Sequence, residues 1–86
     1  MNDDIDKSNE RPKFRLHEAM AIVLKDAPNF TATTNFLSDE IWERELYWQE
    51  NGGKAFPDQM FLRAREYPTI FEVMDRNTIR LIKTGD

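Results

Sequence analysis

The stretch that most constrains the fold is residues 51–67, NGGKAFPDQMFLRAREY. It begins with an asparagine and two glycines, which favour a tight turn because these residues tolerate positive φ. Pro57 then stands where a helix can begin, since the first helical position loses nothing from a missing N–H. Apolar residues recur at helical spacing until Pro68, which ends the pattern. The stretch therefore predicts a loop followed by one amphipathic helix.

This predicted helix has two chemically different faces on a helical wheel. The inner, apolar face consists of Met60, Phe61, Ala64 and Tyr67. The outer face consists of Gln59, Leu62, Arg63 and Glu66, with Asp58 and Arg65 on one flank. A helix with such faces packs against a core on one side and leaves the other side for solvent or a partner.

Two earlier segments also show helical periodicity. The first covers about residues 15–25, and its stripe consists of Leu16, Ala19, Met20, Val23 and Leu24. The second covers about residues 36–46, with Thr34 or Asn35 as the N-cap. Its inner face consists of Leu37, Ile41 and Leu46, flanked by Trp42. Between the helices, residues 30–33 favour at most a strand of one or two bridges.

The C-terminal part alternates as strands do, with one strand at residues 70–74 and another at 79–82. Residues 75–78 form the predicted turn, in which Asn77 can adopt a left-handed conformation. The residues predicted to share an apolar face are Phe71, Val73, Ile79 and Leu81, while Glu72 and Arg80 point to solvent. The order predicts an α+β fold, a winged helix-turn-helix with three short helices followed by a two-stranded antiparallel β-hairpin wing. This domain covers residues 14–83, after a disordered N-terminal tail at 1–13.

Composition sets the limits on function. The chain has 86 residues, no cysteine and a net charge of −4, so it is one small domain whose stability must come from packing. Nucleic-acid-binding domains usually carry a basic surface, which this balance does not favour. The acids are unevenly distributed, however. The charge is −5 over residues 1–53, from six basic and eleven acidic residues, and +1 over residues 54–86, from six and five.

Enzymatic activity and cofactor binding are not indicated. His17 is the only histidine, and we interpret it as a helix residue at the solvent edge. The acids Asp3, Asp4 and Asp6 lie on the predicted tail, which gives no fixed geometry for a metal. We expect no catalytic residue, no metal and no cofactor. No apolar run approaches a membrane span and no signal peptide is present, so we expect a cytoplasmic protein.

The chain resembles the HARE-HTH winged-helix family over roughly residues 14–82. The most specific part of the resemblance consists of Leu46-Tyr47, Gly53, Pro57-x-Gln59, Arg63-Ala64-Arg65, Tyr67-Pro68 and Ile70-Phe71. Members of that family are attached to restriction endonucleases, to ASXL-type chromatin proteins and to the RNA polymerase delta subunit. The resemblance implies a winged-helix fold and a role in binding DNA or in coupling DNA machinery to partner proteins.

A candidate surface for double-stranded DNA follows from the docking geometry of helix-turn-helix domains. The second helix of the pair lies in the major groove, and side chains outside it contact phosphates. Glutamine and arginine pair with adenine and guanine, which are the roles open to Gln59 and Arg63. The remaining candidates are cations at phosphates, on the wing or beside the helix: Lys54, Arg65, Arg76 and Arg80. Asp58, Glu66 and Asp75 lie among them, so a mixed-charge solvated face is the equal alternative.

A second hypothesis is a protein-interaction module without direct DNA contact. Its candidate surface is an exposed apolar patch that contains Trp42, Trp48 and Leu62. The resemblance implies a partner from the transcription or restriction machinery. Packing of the aromatic residues in the core and its rim is the alternative reading of Trp42 and Trp48. We expect a monomer or a weak homodimer.

Overall fold

A computed structural model describes residues 12–82 as three helices and a three-stranded antiparallel sheet. The helices are α1 (Leu16–Lys25), α2 (Thr34–Glu43) and α3 (Pro57–Glu66). The strands are β1 (Thr31–Thr33), β2 (Phe71–Asp75) and β3 (Thr78–Leu81). The predicted tail lies outside the described residues apart from Pro12 and Lys13. The fold is α+β as predicted and is compatible with a winged helix, although its sheet has three strands instead of two.

Helix α1 matches its sequence pattern. All five residues of the predicted stripe are buried. The backbone N–H of Arg15 donates to the Glu18 carboxylate at 2.8 Å, which satisfies one of the donors left unpaired at a helix start. The helix ends at Lys25, shortly before Pro28, because the residue preceding a proline is driven out of helical geometry.

Helix α2 begins earlier than predicted. The hydroxyl of Thr33 accepts the N–H of Phe36 at 3.1 Å, so Thr33 is the N-cap. The prediction of Thr34 or Asn35 as the cap is therefore wrong. Strand β1 leads directly into the helix, and the last extended residue of that strand becomes the cap.

Helix α2 also ends earlier than predicted, at Glu43. The N–H groups of Glu45 and Leu46 donate to the carbonyls of Trp42 and Ile41, each at 3.0 Å, which is the Schellman arrangement. Glu45 adopts a φ of 55°, the left-handed conformation that this ending requires. Leu46 therefore lies beyond the helix and is half-buried, so its assignment to the helical inner face is wrong.

The sheet has β3 in its centre, with β1 on one side and β2 on the other. Strand β1 forms three residue pairs with β3: Thr31 with Arg80, Ala32 with Ile79 and Thr33 with Thr78. The prediction of at most two bridges is wrong. Three residues show too little periodicity to reveal a partner, and the partner here is almost fifty residues away in the sequence.

The β2–β3 hairpin confirms the predicted faces. Phe71 pairs with Leu81, Val73 with Ile79 and the exposed Glu72 with the exposed Arg80. The register shifts by one residue between Val73 and Asp75, which leaves Met74 as an exposed bulge. In the turn, the N–H of Asn77 donates to the Asp75 carboxylate at 2.8 Å. Asn77 does not adopt the left-handed conformation that was open to it, since its φ is not positive.

The core lies between the three helices and one face of the sheet. From α3 it receives Met60 and Ala64, whereas Phe61 and Tyr67 are only half-buried. Two of the four predicted inner residues of α3 are therefore fully inside, and Phe61 lies at the margin. The remaining buried apolar residues of the cluster are Leu16, Ala19, Met20, Val23, Leu24, Leu37, Ile41, Ala55, Phe71 and Ile79.

The loop before α3 is fixed by hydrogen bonds. The N–H of Gln49 donates to the Gly53 carbonyl at 2.9 Å, and the N–H of Gly52 donates to the Gln49 carbonyl at 2.7 Å. Gly52 has a φ of 85°, a conformation that glycine adopts without strain. The buried hydroxyl of Ser38 donates to the Ala55 carbonyl at 2.6 Å and so joins the loop end to α2. These contacts set the position of α3 relative to α2.

Candidate nucleic-acid interface

The structure divides the six candidate DNA-contacting residues into three groups. Three cations form ion pairs with carboxylates, two arginines lie against an aromatic ring, and Gln59 contacts the backbone. Of these six residues, only Arg65 and Arg76 are cations that form no ion pair with a carboxylate of residues 12–82. The candidate site is therefore smaller than the sequence predicts.

The paired cations are Lys54, Arg63 and Arg80. Lys54 pairs with Asp39 on α2, and Arg63 pairs with Glu66 one helical turn further along α3. Arg80 pairs across the hairpin with Glu72 at 2.6 Å. All of these side chains are partly exposed, where an ion pair contributes at most about 1 kcal/mol and can be exchanged for a phosphate. Their contribution to an anion-binding surface is reduced but not abolished.

Arg65 and Arg76 lie against one ring. The Cζ atoms of both guanidinium groups are 5.7 Å from the centroid of Phe61. Arg65 is four residues after Phe61 and so shares its side of α3, whereas Arg76 comes from the β2–β3 turn. A guanidinium at this distance from a ring is attracted by the ring's electrons. We call Phe61, Arg65 and Arg76 the arginine cluster.

The arginine cluster joins α3 to the tip of the hairpin. Both arginines are exposed, so their N–H groups remain accessible to a ligand. Neither forms an ion pair with another residue of the described segment 12–82. Contact with the Phe61 ring does not neutralise the two guanidinium groups, so both charges remain available to an anion.

The side chain of Gln59 is half-buried and contacts the backbone of its own helix start. Its side-chain oxygen accepts the N–H of Phe56 at 2.7 Å, which stabilises the start of α3. A glutamine pairs bidentately with adenine through both its oxygen and its nitrogen. The prediction that Gln59 reads a base therefore conflicts with its hydrogen bond in this structure.

Arg63 lies on the other side of α3 from Arg65. Two helical positions separate them by about 200° around the axis. Arg63 lines a cleft that also includes Phe14, Tyr47 and Tyr67, on the side of α1. Gln59 and Arg63 are both half-buried and each has a partner within the chain. The outermost row of α3 consists of the exposed residues Asp58, Leu62 and Glu66.

The predicted apolar patch is not formed as expected. Trp48 is only 8% exposed, so its assignment to an exposed patch is wrong. Trp48 follows the end of α2, where helical periodicity gives no information about the direction of its side chain. Trp42 is half-buried, and Leu62 is 56% exposed on α3. Phe56, at the N-cap of α3, is 61% exposed and was missed by the sequence analysis.

One further charged group stabilises the scaffold away from this surface. Arg44 donates to Asp26 and to Glu40, each at 3.0 Å. These side-chain hydrogen bonds, first to Asp26 and then to Glu40, raise the pKa of Arg44 above its ordinary value. The contact ties the end of α2 to the end of α1, since Asp26 directly follows α1.

Residues 12–82 contain no group of three histidine, aspartate or glutamate side chains arranged to hold a metal ion. In the same segment, each helix is too short and too polar to cross a membrane. The chain matches no protein-family model, no curated protein and no solved structure.

Proposed function

We propose that this chain is a winged-helix module that binds double-stranded DNA, with the arginine cluster as its main phosphate contact. In this arrangement α2 and α3 form the helix-turn-helix pair, and the β2–β3 hairpin is the wing. The observation that carries the proposal is the position of Arg65 and Arg76. They bring two accessible charges together where the second helix meets the wing, which is where such folds approach a duplex.

The proposal assigns different roles to the residues of α3 than the sequence suggests. Arg65 and Arg76 contact phosphates, and Arg63 approaches the backbone from the other flank. The outermost row faces the bases, where Leu62 can contact a thymine methyl and Asp58 can accept from a cytosine amine. Because most contacts are to phosphate, binding is salt-sensitive and only weakly dependent on sequence. We propose a cytoplasmic protein, in keeping with the resemblance to DNA-associated modules.

A fluorescence anisotropy titration with a labelled 20-base-pair duplex at low salt tests this function. We expect saturable binding by the full chain, weakened by Arg65→Gln and by Arg76→Gln. Lys25→Gln is the matched control, because Lys25 and Arg65 are both exposed cations in the last turn of a ten-residue helix. Equal weakening by all three substitutions, or no saturation by micromolar protein, contradicts the proposal.

Docking onto a protein is the second candidate function, and the exposure of Leu62 and Phe56 favours it. Both apolar side chains belong to α3 or its cap, and Asp58 lies between them in sequence. The fitting partner has an apolar pocket bordered by basic residues. Affinity capture from nuclease-treated lysate, followed by measurement of purified partners, compares Leu62→Gln with the control Met74→Gln. Retention that is equal for both variants contradicts this alternative.

A further inference from the structure

A second cationic site lies beside α1, away from the arginine cluster. It is an open cleft of about 550 Å³ between the start of α1, Tyr47 and one flank of α3. This volume falls within the range of sites that bind small molecules. Its lining residues are Pro12, Lys13, Phe14, Arg15, Leu16, His17, Glu18, Tyr47, Arg63 and Tyr67.

The residues that line this cleft carry a net positive charge, whereas the whole chain carries a net negative charge. Among residues 12–82, the cleft is lined by three cations, Lys13, Arg15 and Arg63, and by one acid, Glu18. Arg63 also forms an ion pair with Glu66. The Glu18 carboxylate already accepts the N–H of Arg15 at 2.8 Å. With Glu18 and the paired Glu66 both counted, the described residues give the cleft a local charge of about +1 in a chain whose net charge is −4. The concentration of cations from two separate elements favours an anionic ligand.

Aromatic rings complete the cleft wall. The rings of His17 and Tyr67 stack with their centroids 4.1 Å apart and an angle of 14° between planes. This contact fixes the side of α1 that faces α3. Both tyrosines of the cleft, Tyr47 and Tyr67, carry hydroxyl groups that can donate hydrogen bonds to an anion.

We propose that this cleft binds a small phosphate monoester. Arginine presents a planar group of N–H donors that matches phosphate oxygens. Arg63 can exchange its partly exposed ion pair with Glu66 for a phosphate, which then has two arginines and one lysine as partners. The stacked His17 and Tyr67 rings give the organic part of the ligand an aromatic wall. Lys13 and Arg15 distinguish this proposal from DNA binding, because they line the cleft and have no part in the proposed duplex contact, whereas Arg63 can take part in both.

Titration of the isotope-labelled full chain, followed by two-dimensional ¹H–¹⁵N NMR, tests this site. The probes are inorganic phosphate, adenosine monophosphate, adenosine and acetate, at constant ionic strength. We expect saturable shifts of residues 13–18 and Tyr67 with the two phosphate-bearing probes. Tighter binding of the nucleotide than of inorganic phosphate assigns a role to the aromatic wall, and equal binding assigns recognition to the phosphate alone. Saturation by adenosine or acetate at the same concentration overturns the proposal.

Charge-removing variants test the same site. Lys13→Gln and Arg15→Gln are each expected to weaken phosphate binding by about threefold, the effect of one exposed ionic contact. Both side chains are exposed, so the variants should fold, which circular dichroism verifies. Lys25→Gln removes a charge from the other end of α1 and should leave affinity unchanged. Equal weakening by Lys25→Gln shows a general charge effect and overturns the site.

Discussion

Helices α1 and α3 are both ten residues long, yet they serve different purposes. Five residues of α1 are buried, against two residues of α3. Helix α1 packs into the core through its five buried residues. Helix α3 packs through Met60 and Ala64 alone and leaves more of its surface accessible. Surface that a small domain does not need for its core is available for binding. The comparison indicates that α1 contributes more to the core, whereas α3 leaves more of its surface accessible to a partner.

The largest expected effect compares one leucine from each helix. Leu24 of α1 is completely buried, and Leu62 of α3 is 56% exposed. Leu24→Ala leaves a cavity in the core and should lower the free energy of unfolding by about 2–5 kcal/mol. Leu62→Ala should change it by no more than about 0.5 kcal/mol. Chemical denaturation measures both values, and similar losses for the two variants would contradict the division of roles.

An intermediate effect is expected where α3 is joined to α2. The buried hydroxyl of Ser38 donates to the Ala55 carbonyl, two residues before α3 begins. Ser38→Ala leaves that carbonyl without its partner and should lower the free energy of unfolding by roughly 1–3 kcal/mol. Thermal unfolding followed by circular dichroism measures the loss. A variant as stable as the parent chain would show that this bond does not hold the loop in place.

The smallest expected effect concerns the paired charges of the hairpin. Glu72 and Arg80 are both exposed and form a cross-strand ion pair at 2.6 Å. Replacing both with glutamine should change the free energy of unfolding by less than about 1 kcal/mol. A double-mutant cycle with the two single variants isolates the coupling between them. A coupling well above that value would mean that the pair is part of the scaffold and unavailable to a phosphate.

Sequence reasoning succeeded where a periodic pattern extended over a whole element. The stripe of α1 and the faces of the hairpin were predicted because helical and strand periods repeat several times there. It left two readings open for Trp48, which lies beyond the end of α2 where no period applies, and the burial of Trp48 agrees with the packed reading. It also placed Phe61 in the core, although the ring lies at the margin beneath Arg65 and Arg76. A helical wheel gives the direction of a side chain around the helix axis, but it does not show which other parts of the fold pack against that side chain.

The candidate site was only partly predictable for a similar reason. The pairing of Arg63 with Glu66 follows from their spacing of three residues on one helix. The pairing of Lys54 with Asp39 joins residues fifteen positions apart, across a loop whose path depends on the folded chain. The approach of Arg76 to Phe61 likewise depends on how the hairpin packs against α3. Only the tertiary structure shows which cations remain unpaired.

The most direct test of the central claim is the salt dependence of duplex DNA affinity. Each phosphate contact contributes about 0.9 to the slope of log affinity against log salt concentration. Replacing both Arg65 and Arg76 with glutamine should therefore reduce the magnitude of the slope by roughly 1.8, while Lys25→Gln leaves it unchanged. A slope that is the same for the parent chain and the double variant would contradict the assignment of the arginine cluster as the phosphate contact.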